Sequence, residues 1–349
     1  MKINILPNNR KYTAKRRVRE DCLCVVPIGR WRRLYKTEER KCFMDFLRFL
    51  EGIRTPVISA FMSLITYCGD EIFFMVLALT VFWCISKRDG YYIFIVGFLG
   101  MVCNQFLKLL FRIPRPWVLD PDFTIVENAR AAATGYSFPS GHTQNIVGTM
   151  SCATLMTGQK KIRIVAIVLM ILVPFSRMYL GCHTPLDVGV SFLLALTLAF
   201  ILRPVIVESE HKPQLLWGAL VLSLIAVLLY WVFVTLYRFP ADVDAENLYS
   251  GTKNAYTLLG CLVGLMAIRA LDDRFIHFQV EAVWWAQILK VVLGLTIIVG
   301  IRAGLKAPLQ AIMPEFPAAA VRYFFMVLFA GAVWPLTFSW FAKLGKKTQ

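Results

Sequence analysis

Cations, imidazoles and a carboxylate are concentrated in three short runs of an otherwise apolar chain. The first is Lys108-Leu-Leu-Phe-Arg112-Ile-Pro-Arg115-Pro116, the second is Tyr136-Ser137-Phe138-Pro139-Ser140-Gly141-His142, and the third runs from Ser176-Arg177 through His183 to Asp187. Lys108, Arg115 and Arg177 are costly in contact with lipid, so three of them at the ends of apolar helices imply an interior polyanion; a phosphate fits. Ser140 and Gly141 open a helix, whose first N–H groups and positive dipole end suit phosphoryl oxygens, and glycine lets the backbone approach closely. Phosphoryl transfer also needs an attacking group and a proton donor for the leaving oxygen. His142 and His183, two of only four histidines, can divide those roles. Asp187 follows His183 by four residues, and on a helix it shares the histidine's face and can hold the ring's tautomer. Pro185 between them suits a first helical turn. Taken singly, each element has a plain structural reading: a histidine bonded at a helix end, a lysine or arginine reaching to headgroups, a Pro-Ser-Gly that starts a helix. Their convergence on one side of a membrane is what points to a site.

The elements that must position these residues are transmembrane helices. With 349 residues, 58% of them apolar and 17% charged, and a mean hydropathy of +0.60, the chain has the composition of a multi-span membrane protein. Nine runs approach the ~20 residues needed to cross a bilayer: 71–86, 91–111, 141–158, 162–180, 185–202, 214–236, 254–270, 283–304 and 321–343. Backbone in hydrocarbon must satisfy its own polar groups, so these runs predict an all-α bundle. Ahead of them, Phe46, Leu47, Phe49, Leu50 and Ile53 recur at mostly helical spacing before Pro56. That spacing predicts an interfacial amphipathic segment over 44–69, with a tenth crossing as the alternative. The nine cysteines show no metal-ligand spacing and read as small apolar side chains.

Residues 1–43 carry 13 Lys and Arg against 4 Asp and Glu, or +9 of the chain's net +16. They read as a solvated basic tail, and Met44 offers a start that leaves them outside the working protein. Other Lys- and Arg-rich connections, at 87–88, 160–163, 203–212, 269–274 and 343–347, belong on the cytoplasmic side. The alternate connections, which hold all three polar runs, then face the extracytoplasmic side, with the C-terminus inside. His211 and His277 fall across the membrane from the site. Lys290 and Arg302 read as snorkelling side chains. Arg112, Asp120, Asp122, Glu127 and Arg130 form either a gate or a solvated loop.

In order and complete, the motifs are Lys-x6-Arg-Pro, Pro-Ser-Gly-His and Ser-Arg-x5-His-x3-Asp. On them the chain resembles the type 2 phosphatidic acid phosphatases (PAP2), the membrane branch of a superfamily that includes bacterial acid phosphatases, glucose-6-phosphatases and vanadium haloperoxidases. The resemblance covers about residues 70–203 and leaves 204–349 as additional transmembrane helices. It implies a metal-independent, cofactor-free phosphatase in which His183 attacks phosphorus to form a phosphohistidine, supported by Asp187. It also implies that His142 protonates the leaving group and then activates water, while Lys108, Arg115, Arg177, Ser140 and the Gly141 amide hold the phosphoryl oxygens. The implied partner is a lipid phosphate among the membrane lipids, with no nucleic acid: a polyprenyl diphosphate, phosphatidic acid or phosphatidylglycerol phosphate. The nine-span layout and Arg115-Pro-Trp-Val-Leu-Asp120 are also similar to glucose-6-phosphatase, which makes a sugar phosphate the alternative substrate. A non-enzymatic lipid-phosphate binding or transport protein that keeps the pocket is a further alternative. A bacterial cell membrane is the expected setting.

Overall fold

The computed structural model describes residues 38–130, 133–241 and 243–344; most of the basic tail read over 1–43 lies outside the described residues. No strand occurs among the described residues, and the chain is a helical integral membrane protein. The main helices are α1 (Glu38–Gly52), α2 (Pro56–Thr66), α3 (Glu71–Cys84), α4 (Lys87–Phe111), α5 (Gly141–Met156), α6 (Lys160–Tyr179), α7 (Pro185–Glu208), α8 (Pro213–Leu236), α9 (Ala245–Leu271), α10 (Trp284–Gly304) and α11 (Glu315–Leu328).

Seven helical stretches are long and apolar enough to cross a membrane, and they coincide with seven of the nine runs read from the sequence. The other two runs, 71–86 and 141–158, form α3 of 14 residues and α5 of 16 residues. At 1.5 Å per residue these are about 21 and 24 Å long, short of a ~30 Å hydrocarbon core. α5 is packed among α4, α6 and α7 and buries Gln144, Thr149 and Ser151. Its surroundings are protein, so it does not need a lipid-facing composition.

α4 is the central helix, packed on α3, α5, α7, α8 and α9. Ser86 caps its start by accepting from the Asp89 amide, and Arg112, in the left-handed region at φ 53, ends it. In the C-terminal half α9 lies along α11. Gly260 permits that approach, since a Cβ there would fall 2.0 Å from the Ala320 carbonyl oxygen. Lys290 of α10 does not snorkel. It is fully buried, and its Nζ donates to Trp83 O (2.8 Å) and Val280 O (3.0 Å) while lying over the Phe338 ring. The expected reach to headgroups fails because α3 ends against α10 and presents the Trp83 carbonyl, while the connection before α10 presents that of Val280.

Residues 41–52 and 56–69 form a pair of helices bent by 119°, with Thr55 and Pro56 at the corner. α1 is tied to the loop after α4. Arg48 pairs with Asp120 at 2.7 Å, and Glu51 accepts from the Thr124 amide at 2.8 Å. Asp120 is thus engaged, whereas Glu127 and Arg130 pair with each other at the surface.

Candidate active site

The alternation of helix directions brings the end of α4, the start of α5, the end of α6 and the start of α7 to one end of the bundle. There the three polar runs are stitched together. Ser137 N donates to Ile113 O (2.8 Å), Ser140 N to Asp187 O (3.1 Å), and the Ser137 hydroxyl to Asp187 Oδ2 (2.6 Å).

The three cations differ in how they are held. Lys108, in the last turn of α4, is buried and donates to Tyr136 O at 2.5 Å. Arg115 is nearly saturated: Nε donates to Gly135 O (3.0 Å), Nη2 to Thr134 O (2.6 Å) and Nη1 to Cys182 O (3.0 Å). Its Nη1 also lies 2.9 Å from His183 Nε2. Arg177 is 0% exposed, and among the described residues only its Nη1 has a partner, Thr66 Oγ1 at 3.0 Å. Its Nε and Nη2 have none there. Leaving buried donors unbonded costs about 1–3 kcal/mol each, more for a charged group, so they suit a bound oxyanion.

Ser140 caps α5. Its Oγ accepts from the Thr143 amide (3.4 Å) and hydroxyl (3.0 Å), which leaves its own proton to donate. A Cβ at Gly141 would meet only Asn104 Oδ1, at 4.0 Å, so glycine keeps space open beside that amide.

Guanidinium has no acceptor, so the His183 nitrogen facing Arg115 must carry a lone pair, which puts the neutral ring's proton on Nδ1. Burial, then the charges of Arg115, Arg177, Lys108 and His142, hold the His183 pKa well below its ordinary value. Asp187 Oδ2 lies 3.7 Å from His183 Nδ1, an ion-pair distance beyond hydrogen-bond length. α7 begins at Pro185, so His183 is outside it and the shared helical face read from the sequence does not arise. Proximity comes instead from a capping box: Thr184 Oγ1 accepts from Asp187 N, and Asp187 Oδ2 accepts from Thr184 N at 2.7 Å.

Three side chains at this end went unseen in the sequence. Asp70, which opens α3, places Oδ1 2.7 Å from His142 Nε2, although the contact lacks hydrogen-bond alignment. Thr66 is the partner of Arg177. Asn104, one turn before Lys108 on α4, is 1% exposed, and among the described residues neither its Nδ2 nor its Oδ1 has a partner. An amide four residues from a motif lysine was the one available signal.

Residues 90–210 match the family model of the PAP2 superfamily, and residues 256–347 match that of the transmembrane extension of PAP2 superfamily phosphatases. The chain is 33% identical over 116 residues to undecaprenyl-diphosphatase BcrC of Bacillus subtilis, covering 33% of this chain and 57% of that protein, little more than half its length. It is 30% identical over 160 residues to an undecaprenyl-diphosphatase of Sulfolobus acidocaldarius, covering 45% of this chain and 75% of that protein. Phosphatidylglycerophosphatase B of Bacillus subtilis is 28% identical over 166 residues, covering 43% of this chain and 76% of that protein. Among solved structures, Aquifex aeolicus LpxE is similar at 25% identity and a TM-score of 0.40, covering 46% of this chain and 93% of that one. A family model over the three motif-bearing runs and a second over the last helices together place this chain in the PAP2 superfamily.

Proposed function

We propose that this protein is a membrane phosphatase that removes phosphate from a lipid phosphate monoester or diphosphate through a phosphohistidine. The observation that carries the reading is Arg177, a fully buried guanidinium with two unpartnered nitrogens whose charge acts on both His142 and His183. The relatives that bear the names of diphosphate and phosphatidylglycerophosphate phosphatases support the lipid substrate.

In this reading the phosphoryl oxygens take the free donors of Arg177, the ammonium of Lys108, the Ser140 hydroxyl and the Gly141 amide. They also draw Arg115 Nη1 away from His183 Nε2. The freed lone pair attacks phosphorus, the P–O bond to the lipid breaks, and His142 gives the departing oxygen its proton. His142 then takes a proton from water, whose oxygen attacks phosphorus and releases phosphate and His183. Asp187 and Asp70 act through the rings, by favouring the cationic form of each imidazole. Charge on the equatorial oxygens is met by three protein cations, so the reaction needs no metal.

The Lys- and Arg-rich connections at the other end of the bundle support an extracytoplasmic site and a cytoplasmic C-terminus, in a bacterial cell membrane. Phosphate release from a panel of purified lipid and sugar phosphates, with and without EDTA, tests the reading. Release from lipid phosphates that persists in EDTA is expected. A strict metal requirement, or exclusive use of sugar phosphates, would overturn it.

A further inference from the structure

A polar cavity of about 150 Å³ adjoins Lys108 and segment 134–136, which leads into the Pro-Ser-Gly-His motif, and the C-terminal extension builds its other wall. α4 contributes Gln105 and Lys108, the start of α3 contributes Glu71, and α9 contributes Asn247, Ser250 and Asn254. The last three stand at i, i+3 and i+7, one face of a helix. Their side chains take no hydrogen-bond partner among the described residues.

Close packing and hydrogen bonds hold this wall against α4 and segment 134–136. A Cβ at Gly251 would come within 2.7 Å of Leu109 Cδ1, so glycine lets α9 dock against the end of α4, and Tyr230 Oη donates to Gly251 O at 2.9 Å. Asp244 N donates to Tyr136 Oη at 3.2 Å. Segment 134–136 therefore has two duties: its carbonyls take Arg115 and Lys108, and its tyrosine anchors the extension.

We infer that this cavity is a second subsite, which holds an uncharged, hydroxyl-bearing part of the substrate next to the phosphate. This inference rests on the phosphatase reading and deepens it. Three amides and a serine hydroxyl both donate and accept, as hydroxyl groups do, whereas a second phosphate only accepts and would leave their acceptor oxygens unused. The space is about ten times the ~15 Å³ that one water needs, enough for a group of several heavy atoms such as a glycerol or a sugar ring. The preferred substrates are thus phosphate esters of a polyol or sugar, ahead of a bare prenyl diphosphate.

The test uses the full-length protein in detergent with phosphatidylglycerophosphate, a polyprenyl diphosphate and glucose 6-phosphate. Wild type is compared with Asn254→Leu and the milder Ser250→Ala. Expected is a wild-type kcat/KM about tenfold higher on phosphatidylglycerophosphate than on the diphosphate. That ratio falls about tenfold in Asn254→Leu and about threefold in Ser250→Ala, mainly through KM. A selectivity loss confined to the lipid assigns the subsite to a lipid headgroup, and an equal loss on glucose 6-phosphate assigns it to free sugar phosphates. Ratios within about twofold of wild type in both variants, or a wild type that prefers the diphosphate, overturn the subsite. Release from none of the three substrates would instead overturn the phosphatase reading.

Discussion

The end that holds the candidate site and the C-terminal half each bury a cation completely, and they hold it in opposite ways. Lys290 of α10 is spent on structure, with its ammonium bonded to Trp83 O and Val280 O and covered by Phe338. Arg177 at the end of α6 is just as inaccessible, yet two of its nitrogens have no partner among the described residues. Burial of charge by itself therefore does not distinguish a strut from a binding group; what distinguishes them is whether the donors are already satisfied. The same contrast runs within the site, where Arg115 is nearly saturated by loop carbonyls and orders the loops, and Arg177 is held in reserve.

This contrast can be broken by substitution. Arg177→Lys should lower kcat/KM by about 100-fold or more, because one ammonium cannot reproduce a forked contact, while the thermal midpoint stays near wild type. Steady-state kinetics and a melting curve on the same preparation check it; near-normal turnover would show that the free nitrogens do not meet substrate. Asp70→Asn should cost about tenfold in kcat. The alkaline limb of its pH–rate profile should move to lower pH, since the carboxylate that favours protonated His142 is gone; an unmoved limb would make Asp70 merely structural. Lys290→Met should show the reverse pattern, a destabilisation of about 2–4 kcal/mol from two orphaned carbonyls and a lost charge contact, with the folded protein's kcat/KM kept within about twofold. The smallest effect concerns pH. His183 is held neutral in the folded protein, whereas unfolded it binds a proton below about pH 6.5. The unfolded state therefore gains protons first on acidification, and stability falls as pH drops below that point. His183→Asn should flatten this slope in a series of melting curves.

The convergence of the candidate-site residues was legible because the residues of each motif lie close together along the chain and charge is conspicuous among apolar residues. Lys108, Arg115, Ser140, Gly141, His142, Arg177, His183 and Asp187 all lie at one end of the bundle, read from helix alternation alone. The partners supplied by distant segments were not legible. Asp70 is 72 residues from His142, at the edge of a stretch whose amphipathic spacing suggested an interfacial segment or a tenth crossing. Asn104 reads as an ordinary core position until both ends of its amide prove unbonded. α5 was legible as a run over 141–158, but not its shortness: it is a 16-residue helix enclosed by other helices. Asp187 lay where the motif put it, but for a different reason: a helix start with its own capping needs brings the carboxylate near the ring. The stripe Asn247, Ser250 and Asn254 was visible as a period, but nothing in the chain announced that it faces Lys108.

The most direct test of the account is to trap the covalent intermediate. Protein turning over a ³²P-labelled phosphate ester with a good leaving group is quenched in alkali, and retained label is mapped to a residue. The account predicts alkali-stable, acid-labile label on His183, more of it in His142→Ala, where water is no longer activated, and none in His183→Ala. Wild type that turns over without ever retaining label, or label that survives His183→Ala, would contradict it.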